Sequence, residues 1–188
     1  MTDRRFLVLF DDFPIEEAQV KSGENTHQVI VASRCVNVAL FLSGNLRRNV
    51  SISIAWGETS DLRVITFSGE TLKRVSPDER SISFFLLKSK REVERLSVDK
   101  GKLMHNGIEV TRTDINSLLQ KWSPSNVYAS VKGPDDSEPT DRGTSGVFIY
   151  GIGPHENPIM KKQFFALPRP PNPERFILDI NLKSDWND

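Results

Sequence analysis

Two short basic clusters carry the side chains best placed to do chemistry. Arg47 and Arg48, inside Asn45-Leu46-Arg47-Arg48-Asn49, put adjacent guanidinium groups in a helix-to-strand turn. A guanidinium fork matches two oxygens of a phosphate, so this pair could grip a nucleic-acid backbone. Lys73, Arg74 and Arg80 surround Ser76-Pro77-Asp78-Glu79. Those four residues read as a helix start, with Ser76 at the N-cap, Pro77 at the first helical position and Glu79 at N3. Cations are mildly unfavourable beside the positive end of a helix, so Lys73, Arg74 and Arg80 exceed what capping requires. For either cluster the competing reading is a solvated face. A third candidate is Gly151-Ile152-Gly153, which follows the continuous apolar run Val147 to Tyr150. It lacks the third glycine of a dinucleotide fingerprint. A loop at the carboxyl end of a parallel strand is nevertheless where ligands collect, the alternative being plain turn glycines. His155 in the same loop is a polar ligand contact or a solvated histidine. Asp11, Asp12 and Asp78 are available carboxylates that also suit surface or helix-end roles. No catalytic residue is assigned.

The elements that must hold these residues follow from the apolar patterning. Phe6–Phe10, Val50–Trp56, Val64–Phe67, Val127–Val131, Val147–Tyr150 and Phe164–Leu167 are short β-favouring runs that alternate with helix-like segments. That alternation predicts an α/β fold with a largely parallel sheet. Val50, Ile52, Ile54 and Trp56 alternate with Ser51, Ser53 and Ala55, which predicts one less buried face on that strand. Residues 27–43 are apolar nearly all round and predict a helix buried in the domain or against a second copy. Ile115, Leu118, Leu119 and Trp122 form one stripe of an amphipathic helix begun by Thr113 or Asp114. Residues 132–146 read as a polar Gly/Pro/Asp loop.

The 188 residues suit one domain, and 25 basic against 25 acidic residues leave no global charge to draw the chain to nucleic acid or membrane. Any such binding rests on local patches. The apolar run after Arg5 is too short for a signal or a span, which with the single Cys35 leads to the expectation of a cytosolic protein. Cys35 suits a small core position better than a reactive thiol, and no cysteine and histidine spacing suggests a metal site.

Several blocks then carry a resemblance. Arg34-Cys35-Val36-Asn37, Phe41-Leu42-Ser43, Leu46-Arg47-Arg48-Asn49-Val50 and Leu72 to Arg80 look like the archaeal tRNA pseudouridine N1-methyltransferases of the SPOUT superfamily, in order and spacing. The resemblance implies a Rossmann-like, mostly parallel sheet with a C-terminal trefoil knot over about residues 146–188, an exception to usual chain topology. It implies a homodimer that binds S-adenosylmethionine in the knot and methylates N1 of pseudouridine in the tRNA T-loop. Gly151, Gly153, Ala166, Leu167 and Pro168 would then contact the cofactor, and Arg47, Arg48, Lys73, Arg74 and Arg80 the RNA. Residues 174–185 would form the final helix. Departures are most marked in the C-terminal half, and upstream His27-Gln28-Val29-Ile30 replaces a Gly-Arg-Leu-Asp stretch. Gly151-Ile152-Gly153-Pro154-His155 replaces a Gly-Asp-His stretch, and Ala166-Leu167-Pro168-Arg169 replaces Ser-Leu-Ser-Pro. Two alternatives follow: an RNA-binding homologue without methyl transfer, and a methyltransferase for another RNA uridine or pseudouridine.

Overall fold

The apolar runs become strands of one sheet. In chain order the computed structural model has β1 (Arg4–Phe10), α1 (Glu17–Ser22), α2 (His27–Leu40), the two-residue strands β2 (Phe41–Leu42) and β3 (Asn45–Leu46), β4 (Val50–Glu58), β5 (Asp61–Ser68), α3 (Glu79–Val93), β6 (Lys100–Leu103), β7 (Glu109–Thr113), α4 (Ile115–Lys121), β8 (Val127–Ser130), β9 (Gly146–Gly151), a 3-10 turn (Gly153–His155), β10 (Phe165–Leu167) and α5 (Pro173–Asp185). It describes residues 3–133 and 144–185, so most of the loop expected at 132–146 lies outside the described residues.

The 8-stranded sheet runs β10-β8-β9-β1-β4-β5-β7-β6. From β10 to β4 every pairing is parallel. From β4 to β6 every pairing is antiparallel. The expected parallel sheet is therefore present, with a hairpin extension that the apolar runs did not foretell. β6 is exposed at each position and shows no alternation, although Asn106-Gly107, with Gly107 at φ 84°, carries the hairpin-turn signal.

Two cores cover the two faces. Phe6, Val8, Ile52, Ile54 and Phe67 meet α2 and α3 on one side, while Leu7, Leu9, Ala55, Leu62 and Val64 meet Ile115, Leu118, Leu119 and Trp122 around α4 on the other. Packing under α4 corrects the expectation for β4: Ser51 and Ser53 are 2% and 1% exposed, and Ser53 Oγ pairs with Thr66 Oγ1 at 2.7 Å.

α2 ends at Leu40 rather than residue 43, because the chain turns into β2 and β3. Its all-round apolarity is explained within the chain, since it packs against α3, α5 and β4. α3 starts later than the sequence predicts. Asp78, not Ser76, is the N-cap, and its carboxylate accepts from Ser81 N at 2.8 Å. Pro77 stays outside the helix, and its carbonyl accepts from Asn37 Nδ2 at 2.5 Å.

α5 occupies the expected place and is fastened by a polar cluster. Arg4 Nη1 donates to Asn181 Oδ1 at 2.9 Å and to Asp185 Oδ1 at 3.2 Å, while Arg47 Nε donates to Asp185 Oδ2 at 3.0 Å. Asn181 Nδ2 donates to the carbonyls of Val38 and Ala39 at the end of α2, at 3.0 and 3.2 Å. Cations and amide donors there satisfy carbonyls the helix leaves unpaired.

Candidate nucleic-acid interface and cofactor cleft

Arg47 and Arg48 diverge. Arg47 points inward, with its side chain 9% exposed, held by Asp185 and by the Val38, Ala39 and Phe41 carbonyls at 3.2–3.5 Å. Its guanidinium is engaged within the fold. Arg48 is exposed and donates once, from Nη1 to Gly69 O at 2.9 Å. That bond joins the two basic spots, because Gly69 begins the segment that carries Lys73 and Arg74. The approach is close: a Cβ on Gly69 would lie 1.9 Å from Arg47 O. The segment is also pinned from the far side, where Lys73 N donates to Asn106 O at 2.9 Å and Thr71 Oγ1 to Gly107 O at 2.8 Å.

Lys73, Arg74 and Arg80 are exposed, and the charged end of none of them makes a hydrogen bond or ion pair among the described residues. Arg74 sits at φ 59°, a conformation that costs a non-glycine residue on the order of 1 kcal/mol. The chain then runs along α2, from Gly69 beside Arg47 to Glu79, whose carboxylate accepts from Asn25 Nδ2 at 3.0 Å. The cations thus follow the length of α2, about 20 Å at 1.5 Å per residue. Arg34, exposed on α2, belongs to the same face and lines a small hollow with Pro77 and Glu79. It stands in a block that carries the resemblance, but an isolated cation on an apolar helix gave no separate signal.

The second site lies at the carboxyl ends of β8, β9 and β10. A Cβ on Gly151 would sit 1.7 Å from His155 O, so only glycine permits the turn, and Gly153 has φ 59°. His155 is neither solvated nor directed at a ligand: it is 6% exposed and its Nε2 lies 2.8 Å from Gly57 O, tying the turn to β4. Two hollows meet here. An open cleft of about 470 Å³ is bounded by Lys132, Tyr150, Glu156 and Pro168. A more apolar cavity of about 260 Å³ lies under α5 against Tyr128, Phe148, Leu167 and Phe176. Of the expected cofactor residues, Leu167 lines the cavity, Pro168 lines both hollows, and Gly151 presents its carbonyl to the side chain of Arg169, which borders both. Gly153 and Ala166 line neither.

Lys132 Nζ lies 2.7 Å from Glu156 Oε2 and holds that carboxyl below its usual pKa. Burial raises the Tyr150 hydroxyl, with the Arg169 charge opposing. Burial also raises the Cys35 thiol, which makes it an inert core residue. Strand-end carbonyls, an aromatic face and an adjoining apolar cavity fit an adenosine, whose amine and hydroxyls donate and whose base is flat. Asp11 and Asp12 are exposed after β1 at this same end of the sheet, Asp12 accepting from Gln28 Nε2 at 3.4 Å, while Asp78 is occupied as a cap. No group of three or more metal-binding side chains occurs among the described residues, nor a helix long and apolar enough to cross a membrane.

Residues 11–167 match the family described as "Putative SAM-dependent RNA methyltransferase". The chain belongs to that family. The matched span includes both basic loops and the Gly151 turn, and stops at Leu167, the last residue of β10. Among relatives, the tRNA (pseudouridine(54)-N(1))-methyltransferase of Methanocaldococcus jannaschii is 36% identical over 124 residues, 63% of this chain and 60% of that protein. The same-named protein of Methanococcoides burtonii is 25% identical over 94% of this chain and 90% of its own length, and that of Methanopyrus kandleri 27% identical over 82% and 74%.

Proposed function

We propose that the protein transfers the methyl group of S-adenosylmethionine to N1 of a pseudouridine in the T-loop of tRNA, acting in the cytosol as a homodimer of single SPOUT-type domains. The observation that carries this reading is the cleft of strand-end carbonyls and aromatic face at β8 to β10, in a chain matched over residues 11–167 to an RNA methyltransferase family. The names of the relatives support the base and the atom. The parallel order β10-β8-β9-β1-β4 supports the knot: after the edge strand β10 the chain returns past Tyr150 to lay α5 on α2, and Ser184 Oγ donates to Thr144 O at 3.4 Å beside the connection into β9. The homodimer follows from the family resemblance given above.

The bound cofactor supplies a sulfonium methyl group. The chain's own part would be to orient an unstacked base towards that methyl, which supplies much of the acceleration without a strong base, with S-adenosylhomocysteine leaving and the N1 proton passing to solvent. Arg48, Lys73, Arg74 and Arg80 grip the backbone, with Arg34 added to the sequence-based set. Arg47 serves by anchoring α5. Gly151, Gly153, Leu167 and Pro168 shape the cofactor loops, and Ala166 sets the register of β10.

One observation favours a second reading, a non-catalytic RNA-binding homologue: Arg169 already occupies carbonyl acceptors that a cofactor would use. Isothermal titration with S-adenosylmethionine separates the two. Saturable binding is expected, and absence of heat at millimolar cofactor would leave only the RNA-binding reading.

A further inference from the structure

The cleft and the cavity share Pro168, Arg169 and Pro170, and Arg169 stands at their junction. Its side chain is 11% exposed. Nη2 donates to Gly151 O at 2.7 Å, and Nη1 reaches Ser130 O at 3.5 Å. The guanidinium lies 4.0 Å from the centre of the Tyr150 ring and 3.8 Å from Glu156 Oε1. The backbone around it is fixed. Tyr150 OH donates to Pro170 O at 2.8 Å and Ser130 Oγ to Pro168 O at 3.3 Å, while Pro168, Pro170 and Pro171 restrict φ. A rigid strap therefore leaves the arginine side chain as the part able to move. That side chain is bonded to the ends of β8 and β9, where a parallel sheet takes its ligands.

We infer that Arg169 is a gate that sets cofactor affinity: it closes the junction by occupying Gly151 O and Ser130 O, and it leaves them when an adenosine enters and makes cleft and cavity one site. This rests on the S-adenosylmethionine reading above. Two physical terms drive the exchange. Adenosine donors compete for the same acceptors, and a sulfonium and a guanidinium repel at close range.

The test is isothermal titration of S-adenosylmethionine, and of neutral adenosine, into the wild-type chain and the Arg169→Ala and Arg169→Lys variants. Removing a competitor held by charged hydrogen bonds and a ring contact raises affinity, so Arg169→Ala is expected to bind both ligands about tenfold tighter, with Arg169→Lys between. If Arg169→Ala lacks a cooperative melt, Arg169→Gln takes its place. As a structural readout, phenylglyoxal modification of Arg169, followed by peptide mass spectrometry, is expected to accelerate with saturating cofactor. Equal or weaker binding by the variant beside a wild type that binds, or protection of Arg169 by cofactor, would overturn the gate alone. Silence of every form towards both ligands would remove the cofactor reading and the gate together.

Discussion

Replacing Lys73, Arg74 and Arg80 together by glutamine removes three exposed cations with no described partner. Each phosphate contact lowers the slope of log affinity against log salt by about 0.7 for single strands and 0.9 for duplex. Three contacts make the triple variant's slope shallower by about 2 to 2.7. At 0.1 M salt each contact is worth about five- to eightfold, so the variant should bind a T-arm RNA about 100 to 500 times more weakly, with the two proteins converging near 1 M. The assay is fluorescence anisotropy of labelled T-arm RNA titrated from 50 to 500 mM salt, with thermal melting as the control for folding. Exposed positions without partners should shift stability by less than about 0.5 kcal/mol. Arg47→Gln should do the opposite, lowering the melting temperature while leaving the salt slope unchanged. Parallel salt slopes for the triple variant and the wild type would refute the interface, whatever the change in affinity at one salt concentration.

Three further outcomes follow from the fold. Asp185→Asn removes the carboxylate shared by Arg4 and Arg47, whose side chains are 3% and 9% exposed. Breaking such a pair costs about 2–4 kcal/mol once the one-third exposure of Asp185 is discounted, or roughly 5–15 °C in melting temperature, and a loss below about 1 kcal/mol would show the cluster to be incidental. Gly151→Ala forces a Cβ onto His155 O, so S-adenosylmethionine binding should fall at least about tenfold in calorimetry. Retained affinity would separate the turn from the site. At low pH, the ion pairs of Glu17 with Lys21 and Arg91 depress its pKa from 4.5 to about 2. A depressed carboxylate adds stability above its unfolded pKa and loses it as pH falls towards the folded value, so denaturation midpoints should decline between about pH 4.5 and 2. Glu17→Gln should flatten part of that decline without altering the profile near neutrality.

What the sequence disclosed and what it concealed divide by the range of the deciding contact. The continuous runs at Phe6 and Val147 announce strands covered on both faces, and the stripe from Ile115 to Trp122 announces α4, because burial writes its own period. Arg47 and Arg48 are indistinguishable as residue types. Asp185, 138 positions away, together with the carbonyls of Val38, Ala39 and Phe41 at the end of α2, turns one of them inward. Ser76 and Asp78 both suit an N-cap; the structure uses Asp78, with the Pro77 carbonyl bonded to Asn37 of another helix. Arg169 gave no signal because its acceptors are backbone carbonyls assembled by strand register. The same holds for His155, whose partner is Gly57 O.

The most direct test of the account is incubation of the protein with pseudouridine-containing tRNA and S-adenosylmethionine bearing an isotopically labelled methyl group, followed by nucleoside mass spectrometry. The account predicts labelled N1-methylpseudouridine that is absent when the tRNA carries uridine in place of pseudouridine. Bound cofactor and bound tRNA with no labelled nucleoside would contradict it.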